Sequence, residues 1–460
     1  MNIETIKKIM DYSPDLKIRT INKVNIIFFE SLTNTSVIND FLLKPIVKYN
    51  INSFSKLKEN IPFANLKELK DETDLFYCLY SGFTIINIDN NFIAFETKYP
   101  LDSGIMEASN EKVIKGPKDA FSENYQNNLG LIRKRIKSDK LIVKEHIIGT
   151  SSKTKVSLLY MNDIVNTDLI SKIEKRLKTM SLDYVANSNY ITDNLTNKSY
   201  MFPTNLMTER PDLVTFSLME GRCAILVENS PQVLIIPSFF SDYIKTIDDY
   251  YQNTKNVSIT RIIRMISFLI AILTPSIYIA LTTFNIETLP TTVLINFSMQ
   301  RADVPFPSIV EAILLLLSFE LLREADTRVP FVVGSSMSIV GALVLGQAAV
   351  EAGLISPIMI IVIAISAVAS FLFNDNDIVN TIRVWKFIFL IAASFVGLYG
   401  IFIASILFLI RISSIESYGF DYTIPYSPFN LKSQENNFIL TKKFKLNYRS
   451  SFLTKNTKRR

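Results

Sequence analysis

The distribution of charge divides this chain into two parts suited to different solvents. From Met1 to Asn256, Lys, Asp, Glu and Asn recur every few residues, whereas from Ile262 to Ile412 charges are sparse and runs of Ile, Leu, Val, Phe and Ala dominate. An apolar run of about 20 residues is long enough to cross the hydrocarbon core of a bilayer as a helix. The sequence therefore predicts a water-soluble region followed by a membrane region.

The soluble region contains signals for both strands and helices. Period-two alternation predicts strands in NKVNIIFFES and a hairpin in GFTIINIDNNFIAFETK, and an amphipathic helix, SVINDFLLKPIVKYN, lies between them. The same mixture returns after Leu141, which indicates α/β layer packing. We expect two small α/β units, the first over residues 1–130 with a basic linker helix and the second over 131–258.

The basic helix carries Arg133, Lys134, Arg135 and Lys137. Such a helix could bind phosphates, but no glycine-rich phosphate loop precedes it. A solvated face or a contact with a neighbouring subunit is therefore favoured.

Residue types needed for catalysis or metal binding are scarce. His146 is the sole histidine, and Cys78 and Cys223 lack the CxxC spacing of a zinc site. No nucleophile elbow, phosphate-binding loop or dinucleotide fingerprint is present. We predict a protein that is not an enzyme, with no catalytic residues, no metal and no cofactor.

Four long motifs carry a family resemblance. They are GPKDAFSENYQNNLGLIRKRIK, FPTNLMTERPDLVTFSLMEGRCAILVENSPQVLIIPS, RADVPFPSIVEAILLLLSFELLREADTRVP and SIVGALVLGQAAVEAGLISP. Together they resemble the A subunits of spore germination receptors, the GerA family. Asp326 stands where that family usually has glycine and Cys223 where it usually has valine, and neither change breaks the pattern.

The resemblance implies a location and partners. It implies a protein of the inner membrane of a dormant spore that responds to nutrients together with a transporter-like B subunit and a lipoprotein C subunit. It also implies that A subunits form a ring that conducts ions, with the nutrient bound mainly by the B subunit.

The apolar region predicts an all-α polytopic membrane domain over 259–415. The predicted spans cover about 262–284, 331–350, 355–373 and 384–410. Residues 289–324 are expected to form re-entrant or surface helices, because four spans keep both chain ends on one side. The basic residues around Arg261 and in a cytoplasmic tail over 416–460 place that side in the cytoplasm, or spore core. Five crossings would leave the tail outside.

The helix after Val332 has two different faces at 100° per residue. One face is predicted to line a pore: Ser336, Val340, Leu343, Gln347 and Glu351. The other carries small residues that allow close helix packing in lipid: Gly334, Ser338, Gly341, Ala342, Ala349 and Ala352. Around a ring axis the first face would form an apolar gate and an acidic ring that favours cations. Alternatively, Gln347 and Glu351 bond a neighbouring helix or cap a turn.

Several charges lie at membrane level in the preceding segment: Glu311, Glu320, Arg323, Glu324 and Arg328. The spacing of Glu320 with Arg323 and of Glu324 with Arg328 predicts ion pairs within one helix. Glu311 has no such partner, so we expect it to contact another subunit.

These observations leave three hypotheses. The first is a homo-oligomeric A subunit that forms a gated channel for monovalent cations, in contact with membrane lipid and not with nucleic acid. The second is a non-conducting scaffold of the same receptor, and an accessory germination channel paralogue is a variant of the first. The third is a transporter with a substrate site at Glu311 and Glu320, but no inverted repeat supports it.

The gate hypothesis predicts that Val340→Ala and Leu343→Ala raise the basal cation leak of the assembled protein. Smaller side chains widen an apolar constriction and make it easier to hydrate. Cation flux in liposomes measures this leak. A closed state that leaks no more than the unsubstituted protein would count against the gate.

Overall fold

The computed structural model has two β-sheets in the first half of the chain and a helical bundle in the second half. It describes residues 13–61, 66–69, 71–88, 91–99, 108, 111, 113–195, 201–328, 346–429, 440, 449, 452–455 and 458.

The first unit contains five strands and four short helices. Its strands are β1 (Leu16–Ile21), β2 (Val24–Phe29), β3 (Leu66–Leu69), β4 (Phe83–Ile88) and β5 (Asn91–Glu96). Its helices are α1 (Thr35–Ile38), α2 (Lys44–Lys48), α3 (Phe54–Asn60) and α4 (Glu72–Tyr80), with a π-helical turn at Asn39–Leu43 between the first two. The strands pair in the order β1-β2-β4-β5-β3. Asn22 and Lys23 both take positive φ, which a tight two-residue hairpin requires.

The second unit repeats this strand order. After α5 (Tyr125–Arg135), its strands are β6 (Leu141–Ile148), β7 (Thr154–Met161), β8 (Leu206–Thr208), β9 (Cys223–Val227) and β10 (Val233–Ile236). Its helices are α6 (Thr167–Thr179), α7 (Ser188–Leu195), α8 (Pro211–Met219) and α9 (Phe240–Ile244), with a 3-10 turn at Ile247–Tyr250. The order β6-β7-β9-β10-β8 is that of the first sheet with each strand number raised by five. The part of the chain before α10 (Thr254–Ile279), here called the soluble half, therefore contains the same topology twice.

A layer of helices joins the two sheets. Buried residues of α4, α5 and α8 form one hydrophobic core with the facing sides of both sheets. The other face of the first sheet packs on α1 to α3, and that of the second on α6 and α7. All described strand pairings in these two sheets are antiparallel. Four of them are hairpins between consecutive strands, whose short connections do not allow a parallel crossover. The predicted α/β class is therefore corrected to α+β layers.

A buried ion pair fixes α5 to the first unit. Arg133 donates from Nε and Nη2 to the two carboxylate oxygens of Asp15, at 2.8 and 2.6 Å, and both side chains are 0% exposed. Arg135 pairs with Asp119, and Lys137 donates to Ser81. Arg133 therefore neither binds phosphate nor lies on a solvated face, so both of these predictions are wrong for it. The boundary predicted at residue 130 also falls inside α5.

The second half of the chain forms a bundle. Its helices are α10 (Thr254–Ile279), α11 (Thr291–Arg301), α12 (Ser308–Arg328), α13 (346–351), α14 (Pro357–Ser370), α15 (Asn376–Val396) and α16 (Leu398–Ser413). A π-helical turn at Ala280–Phe284 extends α10. In the described part of the chain, Thr254–Phe284 and Asn376–Val396 are long and apolar enough to cross a membrane, while α14 and α16 are apolar but shorter.

Contacts between helices set their directions. Phe268 of α10 packs on Phe240 of α9 in the soluble half, with ring centroids 5.2 Å apart, and on Phe373 after α14, at 6.0 Å. Phe268 and Phe373 therefore lie towards the end of the bundle that meets the soluble half, here called the near end. Phe284 meets Gly397 at the opposite, far end. Accordingly α10 and α15 run away from the soluble half, and α14 and α16 run back towards it.

The single span predicted over 384–410 is wrong, because the chain reverses at Gly397. This glycine has φ +65°, and a Cβ there would lie 2.6 Å from Phe284 Cβ. The two helices on either side pack against each other, and a side chain at Gly400 would collide with the carbonyl oxygen of Ala392. Hydropathy misses this turn because both of its arms are apolar.

Residues 289–324 do not form surface helices throughout. None of the residues of α11 is buried, which agrees with a surface position. In α12, however, Ala312 and Leu316 are buried in a core shared with α10 and α14. Phe319 also packs on Phe371 at a centroid distance of 5.9 Å. The surface assignment is therefore wrong for α12, which runs beside α14 towards the near end.

The described residues of the tail pack on the soluble half. The short strands β11 (Glu416–Ser417) and β12 (Phe420–Asp421) form a hairpin, and Ser417 Oγ donates to the carbonyl of Thr204 at 3.0 Å. Farther along, Thr454 forms a β-bridge with Val165. The tail and the soluble half therefore lie at the same end of the bundle.

Replacing Asp15 by Asn should destabilise the soluble half by about 3–5 kcal/mol, because it leaves the Arg133 charge buried without its counter-ion. Far-UV circular dichroism during chemical unfolding of the full-length protein measures the loss. Asp119→Asn is the matched control, since its partially exposed pair with Arg135 should contribute about 1 kcal/mol or less. Equal losses in the two variants would contradict the assigned role of the buried pair.

Candidate functional site

Most of the predicted pore helix lies outside the described residues. The positions concerned are Gly334, Ser336, Ser338, Val340, Gly341, Ala342 and Leu343. In the described part, Gln347 and Glu351 are exposed on the single chain, while Ala349 is partly buried against the far-end core. Ala352 is exposed. The helix thus packs through Ala349 and presents its two polar residues outward.

Glu311 is bound within the chain. Its Oε2 accepts hydrogen bonds from the backbone N and the Oγ of Ser356, both at 2.9 Å, and its Oε1 lies 3.5 Å from Arg301 Nε. Because the carboxylate is 0% exposed, the prediction that Glu311 contacts another subunit is wrong.

The position of Glu311 explains its burial. Ser356 is the N-cap of α14 and makes no capping bond with its own side chain. The Glu311 carboxylate takes that place, so a negative charge meets the unpaired N–H groups and the positive end of the helix dipole. This contact ties α12, α14 and the end of α11 together at the far end.

A second cluster of charges lies where α12 meets α15. Glu320 pairs with Arg383 of α15 at 2.7 Å rather than with Arg323 of its own helix. The Arg323 guanidinium lies over the Phe371 ring, 5.7 Å from its centroid. Lys386, one turn after Arg383, is only 4% exposed. The predicted ion pair between Glu320 and Arg323 within α12 is therefore wrong, because Glu320 pairs with Arg383 of α15 instead.

The partner of Glu324 remains a prediction. Glu324 is exposed, and the side chain of Arg328 lies outside the described residues.

Arg383 and Lys386 were missed by the sequence reasoning. They stand three residues apart in RVWK, at the start of an otherwise apolar helix. Two cations one turn apart in such a helix share a face and need a common partner. That spacing was the available signal.

A cavity of about 500 Å³ lies at the junction of the two halves. The second unit, the loop between α14 and α15, and the tail around Ile424 all contribute to its lining. On one wall, Arg222 donates to both carboxylate oxygens of Asp242 at 2.8 Å. Asp375, Lys245 and Glu111 also line it. The cavity thus carries ionisable groups of both signs.

Burial shifts the ionisation of three of these groups towards neutral pH. Burial raises the pKa of Glu111 to about 7. Burial, with help from the nearby Asp377 carboxylate, raises the pKa of Asp375 to about 6. Burial lowers the pKa of Lys245 to about 8. The charge of the cavity therefore changes between about pH 5 and 9, since each group titrates over roughly one unit on either side of its pKa.

The cavity is joined directly to bundle helices. Asp375 is the N-cap of α15 and accepts from the backbone N of Asp377 at 2.8 Å. At the start of α10, Asp249 accepts from Arg261 Nε at 2.7 Å and from Arg264 Nη1 at 3.0 Å. Asp249 thus attaches α10 to the soluble half, and Thr381 of α15, whose Oγ1 donates to the carbonyl of Met201 at 2.6 Å, attaches α15 to it.

Cys78 and Cys223 are free and buried. Within the described ranges, no group of three or more His, Cys, Asp or Glu side chains is placed to hold a metal ion. The chemistry visible in this part of the chain is therefore ion pairing, helix capping and proton binding.

Comparison with protein families identifies the chain. Residues 4–452 match the model described as Bacillus/Clostridium GerA spore germination protein. The chain belongs to the GerA family. This confirms the resemblance carried by the four long motifs.

Individual GerA-family relatives match over most of their length. Spore germination protein KA of Bacillus subtilis is 35% identical over 444 residues, which cover 93% of this chain and 82% of the relative. Spore germination protein GerLA of Bacillus cereus is 32% identical over 471 residues, covering 98% and 95%. A crystal structure of the N-terminal domain of the A subunit of the Bacillus megaterium spore germinant receptor GerK3 is 29% identical, with a TM-score of 0.40, and covers 52% of this chain and 94% of that one.

Glu311→Ala should destabilise the bundle by roughly 2–5 kcal/mol, because it removes the cap of α14 and the counter-ion of Arg301. Fluorescence of Trp385, the sole tryptophan, reports unfolding of the bundle in detergent. Ser356→Ala keeps the carboxylate and removes one hydrogen bond, so it should cost only about 1 kcal/mol. A Glu311→Ala bundle as stable as the unsubstituted one would refute the capping role.

The raised pKa of Glu111 makes a pH-dependent contribution to stability. The folded protein holds this proton up to about pH 7, whereas the unfolded chain releases it near pH 4.5, so the contribution falls as pH rises through that window. Glu111→Gln should therefore show a smaller loss of stability between pH 5 and 8 than the unsubstituted protein, in thermal unfolding of the full-length chain. Parallel pH profiles for the two proteins would contradict this.

Proposed function

We propose that this chain is the A subunit of a nutrient-responsive germinant receptor in the spore inner membrane, working with a transporter-like B subunit and a lipoprotein C subunit. Membership of the GerA family carries this proposal, supported by relatives that are named spore germination proteins. Deleting the gene should remove the response of spores to at least one nutrient while leaving germination by other routes intact. Spores that respond normally to every nutrient would refute a receptor role.

The proposed membrane topology has six crossings rather than four. The directions of α10, α12, α14, α15 and α16 support five of them. The sixth is assigned to the segment that ends with α13, whose Gly346 lies near Ile360 and whose following Gly353 lies near Asp303 at the far end. An even number keeps the soluble half and the tail together on the spore-core side, which fits the contact between Ser417 and Thr204.

The channel proposal is that several copies assemble with the face of Gln347 and Glu351 towards a common axis. Its main support is that both side chains are exposed on a single chain although they occupy a bundle helix, while Ala349 on the same helix packs inward. Polar groups at membrane depth need water or protein around them. A shared axis would supply both, and a ring of Glu351 carboxylates would favour cations.

The junction cavity is the proposed route from nutrient binding to the channel. Movement of the soluble half would act on α10 through the bonds of Asp249 to Arg261 and Arg264, and on α15 through the bond of Thr381 to the carbonyl of Met201. Subunit contacts made by the soluble half could thereby tilt the bundle and open the axis.

Glu351→Gln should lower the cation-over-anion selectivity of flux through liposomes that contain the purified protein, because it removes the acidic ring. Glu287→Gln is the matched control, since Glu287 is also exposed at the far end but is outside the proposed pore face. Flux with unchanged selectivity would refute the acidic ring. The absence of any flux, with germination lost on deletion, would favour the non-conducting scaffold.

A further inference from the structure

Three cations converge on one carboxylate where α12, α14 and α15 meet near the soluble half. Arg323, Arg383 and Lys386 all interact electrostatically with Glu320. We call these four residues the cation cluster. One negative charge cannot neutralise three positive ones, and unpaired charge at membrane depth costs several kcal/mol. The cluster is therefore incomplete without a further anion.

The described residues do not supply that anion. Lys386 is 4% exposed and forms no hydrogen bond or ion pair within the described part of the chain. Arg383 Nε is buried and has no hydrogen-bond partner, although its Nη2 binds Glu320. Arg383 Nε and the Lys386 ammonium can therefore still bind an anion next to the Glu320–Arg383 ion pair.

We propose that the cation cluster binds the phosphate of an anionic phospholipid. This inference rests on the proposed membrane location of the bundle, but not on conduction by the channel. Basic pockets between membrane helices on the cytoplasmic side bind anionic head groups in this way. A phosphodiester remains ionised at every physiological pH, so with Glu320 it lowers the excess positive charge of the cluster from two to one.

The depth of the cluster fits a lipid head group. Arg383 and Lys386 lie about 10 and 15 Å from the start of α15 at 1.5 Å per residue, and that start lines the junction cavity. Arg323 lies nearer the soluble half than Glu320, since α12 runs in that direction, and it stacks over Phe371 at the end of α14. Long basic side chains can extend from such depths towards the interface.

The surface around the cluster fits acyl chains. Phe371, Leu317, Leu321 and Val384 flank it along α12, α15 and the end of α14, and they are 57%, 50%, 71% and 39% exposed. An anionic phospholipid would contact the cation cluster with its phosphate and these exposed apolar side chains with its acyl chains. A carboxylate from a second copy would itself have to be desolvated at this depth, which favours the lipid.

Native mass spectrometry of the full-length protein, released from nanodiscs of equal parts phosphatidylglycerol and phosphatidylcholine, tests the proposal. The protein should retain phosphatidylglycerol preferentially. Arg383→Gln and Lys386→Met should each lower that retention about fivefold, from about 1 kcal/mol per removed cation. Arg411→Gln, which removes an exposed cation at the near end of α16, should leave it unchanged.

Glu320→Gln separates lipid binding from a purely structural ion pair. Removing this carboxylate takes away the competing anion, so retention of phosphatidylglycerol should rise. If the cluster only holds α12 to α15, the same change should loosen the bundle and leave retention unchanged or lower.

Three results would overturn the inference. The first is equal retention of phosphatidylglycerol and phosphatidylcholine. The second is an equal effect of Arg411→Gln and Arg383→Gln on retention. The third is that the Arg383→Gln and Lys386→Met variants form a smaller oligomer while their lipid retention is unchanged. The last result would assign the cluster to a carboxylate of a second copy. Cation flux measured on the same preparations distinguishes the lipid proposal from the channel proposal, because flux without a lipid preference refutes only lipid binding.

Discussion

The bundle depends on the burial of the Glu311 carboxylate at the first turn of α14. An ionised group enclosed by apolar helices is stable only when hydrogen bonds and opposite charge replace its water, and here Ser356 and Arg301 do so. The contact fixes where α14 begins and holds α12 beside it. It acts together with the apolar contacts of Ala312 and Leu316 and with the Glu320–Arg383 ion pair, which hold the rest of α12 in the bundle.

The same principle operates at the other end of the bundle. Asp249 pairs with both Arg261 and Arg264 where α10 leaves the soluble half, and Asp375 caps α15 beside a cavity of mixed charge. Both of these carboxylates thus bind a helix terminus or an opposite charge. In the proposed function, movements of the soluble half would act on the helices through these bonds and through the apolar core that Phe240 shares with Phe268 and Phe373.

The sequence predicted what depends on local pattern. Alternation located the strand Val24–Phe29 and the hairpin at 83–96, and the apolar runs located α10 and α14. It could not show that Gly397 reverses the chain, because α15 and α16 are both apolar, or that α12 joins the bundle, because its charges suggested a surface helix. Asp15, Ser356 and Arg383, which bind Arg133, Glu311 and Glu320, each lie 45 or more residues from their partners. Spacing within one helix carries no information about such pairs.

The central claim is that α13 turns Gln347 towards water inside an assembly. The chain is suited to cysteine labelling, because Cys78 and Cys223 are both buried. In the receptor embedded in membrane, a Gln347→Cys variant should react with a membrane-impermeant, water-soluble thiol reagent. A Leu407→Cys variant, at a position 54% exposed on the outside of α16, should face lipid and stay unmodified. Equal failure of both variants to react would place Gln347 against lipid and contradict the account.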